Sequence, residues 1–366
     1  MRSVPQDNQL VYVGLDVHKD SISAGVLTPG REVPEVDRFF ADEVCLRRFL
    51  EPLGDPKRLR VCYEAGPTGF ELARLLQALR VPCAVIAPSL IPRAPGDRIK
   101  TDRRDARRLV RLFAAGQLTR IHVPSRQEEA VRDLCRARTD MVIDRNRARH
   151  RLSKFLLRHG EVYRGGTEWT DRHDRWLTGI RFQDPALQTT FRHYRGVIEA
   201  RTAELRAVEG DLIGWWARDP FAEAVHRLGA YRGITHLGAL SIAAEVTDWR
   251  RFPRAETFMG FCGLVPSEYS SGTHTWRGRI TGTGNTQLRT HFVESAWSYR
   301  HRPAIGRDMA KRHDGVDPEV LARAWHAQQR LCTKFRRLAA RKNAQKLVAV
   351  AVARELAGFC WAEMTA

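Results

Sequence analysis

Leu10-Val11-Tyr12-Val13-Gly14-Leu15-Asp16 is an apolar run, rich in β-branched and aromatic residues, that ends on a carboxylate. Its composition predicts a strand, and Ser21 to Leu27 predicts a second one across a His18-Lys19 turn. A third run, Leu59-Arg60-Val61-Cys62-Tyr63-Glu64, also ends on a carboxylate. A helix over Gly69 to Leu79 and a strand over Cys83 to Ile86 follow, with Gly66-Pro67-Thr68-Gly69 as the turn that caps the helix. Residues 9 to about 115 thus read as an α/β domain, where function belongs beyond the carboxyl edge of the sheet. Asp16 and Glu64 stand at that edge. Asp102 and Asp105, in Lys100-Thr101-Asp102-Arg103-Arg104-Asp105-Ala106, are three apart and share one helical face, with Arg103 and Arg104 directed elsewhere.

Sixty-one Lys and Arg against 42 Asp and Glu give a net charge of +19, a balance suited to phosphate or anionic membrane surfaces. Most of the cations are arginine, which favours bidentate phosphate contact, although a GC-rich genome also enriches it. A length of 366 residues with 43% hydrophobic content predicts two or three folded domains and excludes a disordered tail. The cysteines (Cys45, Cys62, Cys83, Cys135, Cys262, Cys332, Cys360) are odd in number, widely spaced and never CxxC. That excludes a disulfide framework and a zinc site, and predicts reduced, buried thiols. The polar start Met1 to Asn8 resembles no signal peptide, and no apolar stretch approaches the ~18 residues of a membrane span. A cytoplasmic, nucleoid-associated protein with no membrane partner is expected.

From Arg126 to His159 the chain is charged and free of Pro and Gly, with Val131, Leu134, Met141, Ala148, Leu152 and Phe155 in a three- and four-residue register. A second such register begins at about Phe191 and continues through Tyr194, Ile198, Leu205, Val208, Leu212 and Trp215. These predict two arms of a coiled-coil-like helical hairpin joined by a connector over Gly160 to Asp184. The seam pairs within one chain or between chains; Arg138 and Arg145 inside it suggest a partner. From Phe221 onward short helices alternate with Gly-rich loops, notably Gly260 to Gly284, before a helical tail from Asp317 to about Met364. Tail cations Lys334, Arg336, Arg337, Arg341 and Lys342 form either a solvated face or a nucleic-acid contact.

Mg²⁺ prefers hard oxygen ligands, and sites that act on phosphates hold it with a few carboxylates while substrate completes the shell. Two such ions about 3.5 to 4 Å apart can activate an attacking oxygen and stabilise a leaving one. Asp16, Glu64, Asp102 and Asp105 therefore read as a metal site for cutting a nucleic-acid backbone. Taken singly, each is more simply a turn residue or an offset to neighbouring arginines.

The strings Gly14-Leu15-Asp16-Val17-His18-Lys19, Tyr63-Glu64-Ala65-Gly66-Pro67-Thr68-Gly69 and Lys100-Thr101-Asp102-Arg103-Arg104-Asp105-Ala106 resemble the three acidic motifs of the DEDD transposases. Those are insertion-sequence recombinases with an N-terminal domain of the RuvC type. The resemblance covers most of the chain. It implies an α/β plus α architecture: a RuvC/RNase H-like mixed sheet with helices over 1–120, the helical hairpin over 121–220 for assembly, and a mainly helical transposase domain over 221–366. It also implies that Asp16, Glu64, Asp102 and Asp105 are the ligands of catalytic Mg²⁺.

Gly263-Leu264-Val265-Pro266-Ser267-Glu268-Tyr269-Ser270-Ser271-Gly272, followed by Arg277-Gly278-Arg279-Ile280 and Gly284-Asn285, reads on its own as a flexible cationic loop suited to phosphate oxygens, or as a surface turn. A serine is a poor nucleophile without a base or metal, and no Ser/His/Asp arrangement is legible in the spacing. The resemblance makes Ser271, which precedes a glycine, the covalent nucleophile, with Ser270 as its rival. Gly282 stands where many relatives carry Lys, so a phosphate contact is either missing or supplied by Arg277, Arg279 or Arg289. With Lys100 and Arg103 these are the candidate nucleic-acid contacts. Upstream, Tyr231 to Val246 resembles a helix-hairpin-helix weakly, because Arg232 and Thr235 replace its usual proline and second glycine; ordinary helix packing is the alternative. His18, His236, His274 and His291 are not at metal-ligand spacing, and no Walker A or HExxH motif is present. Trp215, Trp216, Trp249 and Trp297 read as core, with Trp276 in the loop as a possible base-stacking exception.

The expected activity is that of a transposase or DNA recombinase passing through a serine–DNA intermediate, which conserves phosphodiester energy for religation. The family further implies donor and target DNA as partners, a structured bridge RNA that chooses them by base pairing, and a dimer or tetramer that assembles the site. A RuvC-like junction nuclease using water, or a non-catalytic nucleic-acid-binding protein, are the rival readings.

Overall fold

The computed structural model describes residues 10–92, 101–271, 274–341 and 344–366. Lys100, Gly272 and Lys342 lie outside them. The chain forms two compact units, Met1–Val123 and Pro124–Ala366; the expected hairpin and C-terminal segments both fall in the second.

In the first unit the opening apolar run is strand β1 (Val11–Val17), followed by β2 (Ser21–Leu27), β3 (Glu35–Phe40), helix α1 (Glu43–Leu50), β4 (Leu59–Glu64), α2 (Glu71–Ala78), β5 (Cys83–Ile86) and α3 (Asp102–Ala114). They build one mixed sheet in the order β3-β2-β1-β4-β5. The β1–β2 and β2–β3 pairs are antiparallel, whereas β4 and β5 run parallel to β1. Helix α2 starts two residues later than its pattern predicts, because Gly69 has φ +66° and cannot open a right-handed helix.

Period-two alternation assigns the faces. Val11, Val13 and Leu15, with Ile22, Ala24 and Val26 and with Leu59, Val61 and Tyr63, point to a core shared with Leu46 and Leu50 of α1 and Ala73 and Leu76 of α2. The alternate residues face α3, where Tyr12, Cys62, Ala84 and Ile86 meet Leu109 and Phe113. Two glycines make that packing close. Gly14 and Gly25 are register partners, and a Cβ on Gly14 would lie 2.7 Å from the Val110 nitrogen while one on Gly25 would lie 2.6 Å from the Ala106 oxygen. Helix α3 therefore rests on bare backbone.

The second unit opens with α4 (Arg126–Arg158), started by a reciprocal capping box of Ser125 and Glu128. Then come α5 (Asp171–Gly179), α6 (Pro185–Ile213), α7 (Ala222–Gly229), α8 (His236–Val246), α9 (Ala255–Phe261), the hairpin β6 (Pro266–Ser271) and β7 (His274–Ile280), α10 (Thr286–Ala296), α11 (Arg307–His313), α12 (Pro318–Ala339) and α13 (Gln345–Thr365). Helix α6 begins six residues before its register suggests, since Asp184 caps it and Pro185 suits its first turn. Helices α4 and α6 pair within the chain. Arg138 donates from Nε (3.0 Å) and Nη2 (2.7 Å) to Glu209, so its seam cation is met intramolecularly and not by a partner as its position had suggested. The connector contributes α5, whose Leu177 packs with Leu152, Phe155 and Phe191 at the far end of the arm. All seven cysteines are free; five are buried, Cys45 and Cys83 half-buried. Among the described residues no helix is long and apolar enough to cross a membrane.

Glu363 fastens the last helix. Its fully buried carboxylate accepts from Arg323 Nε (2.7 Å) and Nη2 (2.9 Å), Arg227 Nε (2.9 Å) and the Tyr231 hydroxyl (3.1 Å). Burial raises the acid's pKa, but these bonds outweigh it and hold the carboxyl below its ordinary value. Glu363→Ala leaves two arginines facing a void and is expected to destabilise this unit by about 3–5 kcal/mol, measured as a lowered urea midpoint.

Candidate active site

Parity brings the acidic residues together. Asp16 follows Gly14 by two on β1, and Glu64 follows Cys62 by two on β4, so both project from the face that α3 covers. Leu15 pairs with Tyr63, which puts the two acids side by side at the carboxyl ends of parallel strands. Thr101 caps α3 with its hydroxyl, and Asp102 and Asp105 occupy the helix's first turn. The two glycine contacts beneath α3 hold that turn against the sheet edge.

His18, two residues beyond Asp16 and at the β1–β2 turn, was excluded on spacing, yet its Nε2 lies 3.4 Å from Asp16 Oδ2 and 3.5 Å from Asp102 Oδ1. Asp16, His18 and Asp102 offer ligand atoms all within 4.8 Å of one another. Burial pushes the Asp16 carboxyl above its ordinary value; His18 pulls it down, and Asp102 and Asp105 push it up again. A carboxylate crowded by two others in this way fits a divalent cation, and the hard oxygens suit Mg²⁺. Glu64 is exposed at the same edge and outside the tight group. Arg103 is exposed beside Asp102.

The serines lie on the β6–β7 hairpin, where a flexible loop was expected. Register pairs Ser271 with His274, Ser270 with Thr275, Tyr269 with Trp276 and Glu268 with Arg277. Alternation therefore places Ser271, Tyr269, His274 and Trp276 on one face, and Ser270, Glu268 and Arg277 on the other. Both serines are exposed, and Arg277 donates to Glu268 at 3.1 Å. Arg279 is exposed on β7. Arg289 is turned inward, donating to the Cys262 carbonyl at 3.2 Å and the Thr286 hydroxyl at 3.0 Å, so it braces the hairpin's base. Gly282 has φ +65°, a conformation that a lysine there would adopt only with strain.

Residues 225–310 match the family described as "Transposase IS116/IS110/IS902 family", and residues 13–160 match a second transposase family, DEDD_Tnp_IS110. The y4qE protein of Sinorhizobium fredii is 42% identical over 359 residues, covering 97% of this chain and 89% of its own. The transposase for insertion sequence element IS1533 of Leptospira borgpetersenii is 33% identical over 342 residues, covering 90% and 96%. The chain belongs to the IS116/IS110/IS902 transposase family. Its acidic motifs fall in the 13–160 match and its hairpin serines in the 225–310 match.

Behind the hairpin this transposase carries a polar clamp. Glu245 of α8 is buried and accepts from Arg136 Nε (2.7 Å) and Nη2 (2.9 Å) and from Asn285 Nδ2 (2.7 Å). Asn285 in turn caps α10 through Leu288 and donates its own N–H to the Phe261 carbonyl at 2.7 Å. His291 on α10 is half-buried nearby; burial first, and Arg138 second, push its pKa down to about 4, with Glu245 opposing. An unfolded histidine titrates near 6.5, so between these values the unfolded chain binds a proton that the folded one refuses. Stability is therefore expected to fall as pH drops from about 6.5 towards 4, and His291→Gln to flatten that part of the urea-midpoint profile.

The stretch that resembles a helix-hairpin-helix forms, after α7, a short turn and α8. Gly233, at φ +83°, lies so close to α10 that a Cβ would meet the Ser295 oxygen at 2.4 Å, and Ile234 is buried. Trp249 is core, Trp215, Trp216 and Trp297 pack against it, and Trp276 is 64% exposed.

Proposed function

We propose that this transposase cleaves and exchanges DNA strands through a covalent serine–DNA intermediate, with Mg²⁺ held by Asp16, Glu64, Asp102 and Asp105 and with Ser271 as nucleophile. The observation that supports the reading is the convergence of the acidic motifs on the α3-covered edge of the sheet, where Asp16, His18 and Asp102 offer ligand atoms within 4.8 Å of one another and Asp102 and Asp105 push the Asp16 carboxyl up. The sheet order and mixed direction are compatible with a RuvC-like first domain; we assign it residues 1–120, with an assembly hairpin at 121–220 and a transposase domain at 221–366. When bound, Mg²⁺ supplies Lewis-acid polarisation of the phosphate and lowers the cost of deprotonating an attacking oxygen.

The chain's own residues do the remainder. The Ser271 hydroxyl attacks phosphorus; an Oγ–P ester bond forms as one P–O bond to deoxyribose breaks, the serine proton leaves, and the departing sugar oxygen gains one. Reversal onto a different sugar hydroxyl joins a new strand without added energy. Lys100, Arg103, Arg277 and Arg279 supply phosphate contacts, while Arg289 supports the loop. A structured bridge RNA selects donor and target by base pairing, and a dimer or tetramer brings the parts together in the nucleoid.

Incubating the protein with DNA of the element's ends, its flanking non-coding transcript and Mg²⁺, then denaturing, is expected to yield a protein–DNA adduct that needs all three. Strand cleavage without an adduct would instead support a water-using nuclease. Unchanged DNA transactions in both Asp16→Asn and Asp105→Asn would leave a nucleic-acid-binding protein without catalysis.

A further inference from the structure

Two large aromatic side chains stand in solvent side by side on the hairpin face that carries Ser271. Tyr269 is 72% and Trp276 64% exposed, and as register partners their ring centroids lie 5.9 Å apart at 42°. Nothing apolar covers them among the described residues, although a folded chain ordinarily buries rings of this size. The Trp276 ring lies along the strand over Gly278, where an added Cβ would stand 3.1 Å from two of its carbons and 2.5 Å from Ser267 Oγ. A side chain at 278 would lift the ring away, so the glycine keeps it flat and its outer face open.

We propose that Trp276, backed by Tyr269, is a stacking platform for an unpaired DNA base beside the phosphate that Ser271 addresses. Three observations select a nucleobase as the occupant. The hairpin is cationic and hydroxyl-rich, with Arg279 and His274 exposed along the same strand, which complements a polyanion and disfavours an apolar protein surface. Tyr269 precedes Ser271 by two residues, roughly 6.6 Å along the strand, about the span of one nucleotide. The rings and Ser271 also share a face, so a strand whose phosphate meets the serine carries its neighbouring base over the rings. Ring faces are available only to a base outside a duplex stack, which makes the platform selective for single-stranded or splayed DNA. It is a positioning device: it fixes which phosphate is presented and does not touch the reacting atoms.

The proposal rests on Ser271 acting at DNA, so its test separates the two. In full-length protein carrying Ser271→Ala, binding is followed with a 20-nucleotide single-stranded DNA bearing a central 2-aminopurine, the same sequence as duplex, and the same sequence as RNA. Stacking is expected to quench the single-stranded DNA probe. Trp276→Leu, which keeps an apolar cross-strand partner for Tyr269, is expected to abolish the quenching and weaken binding by roughly 5- to 150-fold, whereas Trp276→Phe retains part of both. The salt dependence of binding is expected to stay unchanged in Trp276→Leu, because no cation is removed; a merely structural role would disorder the hairpin and lower the slope through lost arginine contacts. Unchanged quenching in Trp276→Leu, a lowered salt slope, quenching equally strong on duplex or RNA, or none with the parent protein would overturn the platform. Adduct formation by the Ser271→Ala protein would overturn the serine assignment and leave the stacking result standing.

Discussion

Ser271→Ala is expected to abolish the proposed denaturation-resistant protein–DNA adduct, a loss on the order of 10⁴-fold or more, while Ser270→Ala is expected to stay within about tenfold of the parent. The difference follows from the hairpin's alternation. Ser270 shares its face with the Glu268–Arg277 ion pair, whose carboxylate repels an approaching phosphate and occupies the nearest guanidinium. Ser271 stands on the opposite face, last in its strand and exposed. No side-chain bond restrains it among the described residues, so removing its hydroxyl leaves the fold untouched. Circular dichroism and urea midpoints are therefore expected to match the parent within experimental scatter, which isolates the chemical effect. Retention of the adduct in Ser271→Ala with its loss in Ser270→Ala would reverse the assignment.

Gly14→Ala is expected to lower strand cleavage by about a hundredfold or more through a single methyl group that never approaches substrate. That methyl would stand 2.7 Å from the Val110 nitrogen and 3.1 Å from its Cα, so the neighbour that must yield is helix backbone and not a rotatable side chain. Overpacking of this kind costs about 1–3 kcal/mol, and the cheaper relaxation is for α3 to lift from the sheet. Such a shift carries Asp102 and Asp105 away from Asp16, and a displacement near 1 Å at a reacting centre costs about 10²-fold. Raised Mg²⁺ should restore part of the rate if the cation's site is loosened. A Gly14→Ala protein that cuts at the parental rate would show that α3 does not position the acidic pair.

Much of this was legible in the sequence because the informative residues obey short periods. The run ending at Asp16 and the run ending at Glu64 are strands whose alternation alone puts both acids on one face, and the i, i+3 spacing of Asp102 and Asp105 holds on α3. Strand β3 and helix α1 went unread. Glu35-Val36-Asp37-Arg38-Phe39-Phe40 is an edge strand with charged residues on its open side, so its hydrophobic alternation is faint. The hairpin at Pro266 was read as loop because Pro and Gly are depleted in strands, and its pairing supplies what propensity does not. His18 was set aside because ligand spacing is judged along one element, whereas Asp102 reaches it from a helix more than eighty residues on. Arg138 found its partner 71 residues away in Glu209, a distance no local pattern encodes. The hinted lysine at 282 is likewise decided by backbone: only the positive φ explains glycine there.

The arm formed by α4 and α6 has a mechanical consequence. Helix α4 alone, 33 residues long, extends about 50 Å. Its foot, at Val131 and Cys135, is set into the large core with Leu212, and its head is closed by α5 around Leu152, Phe155 and Phe191. Between them, among the described residues, the two helices are joined by the Arg138–Glu209 bridge and no buried aliphatic cluster of comparable size. A strut with two knitted ends and a polar waist is expected to bend at the waist. Amide protons there are expected to exchange before those at either end, measured by native-state hydrogen exchange.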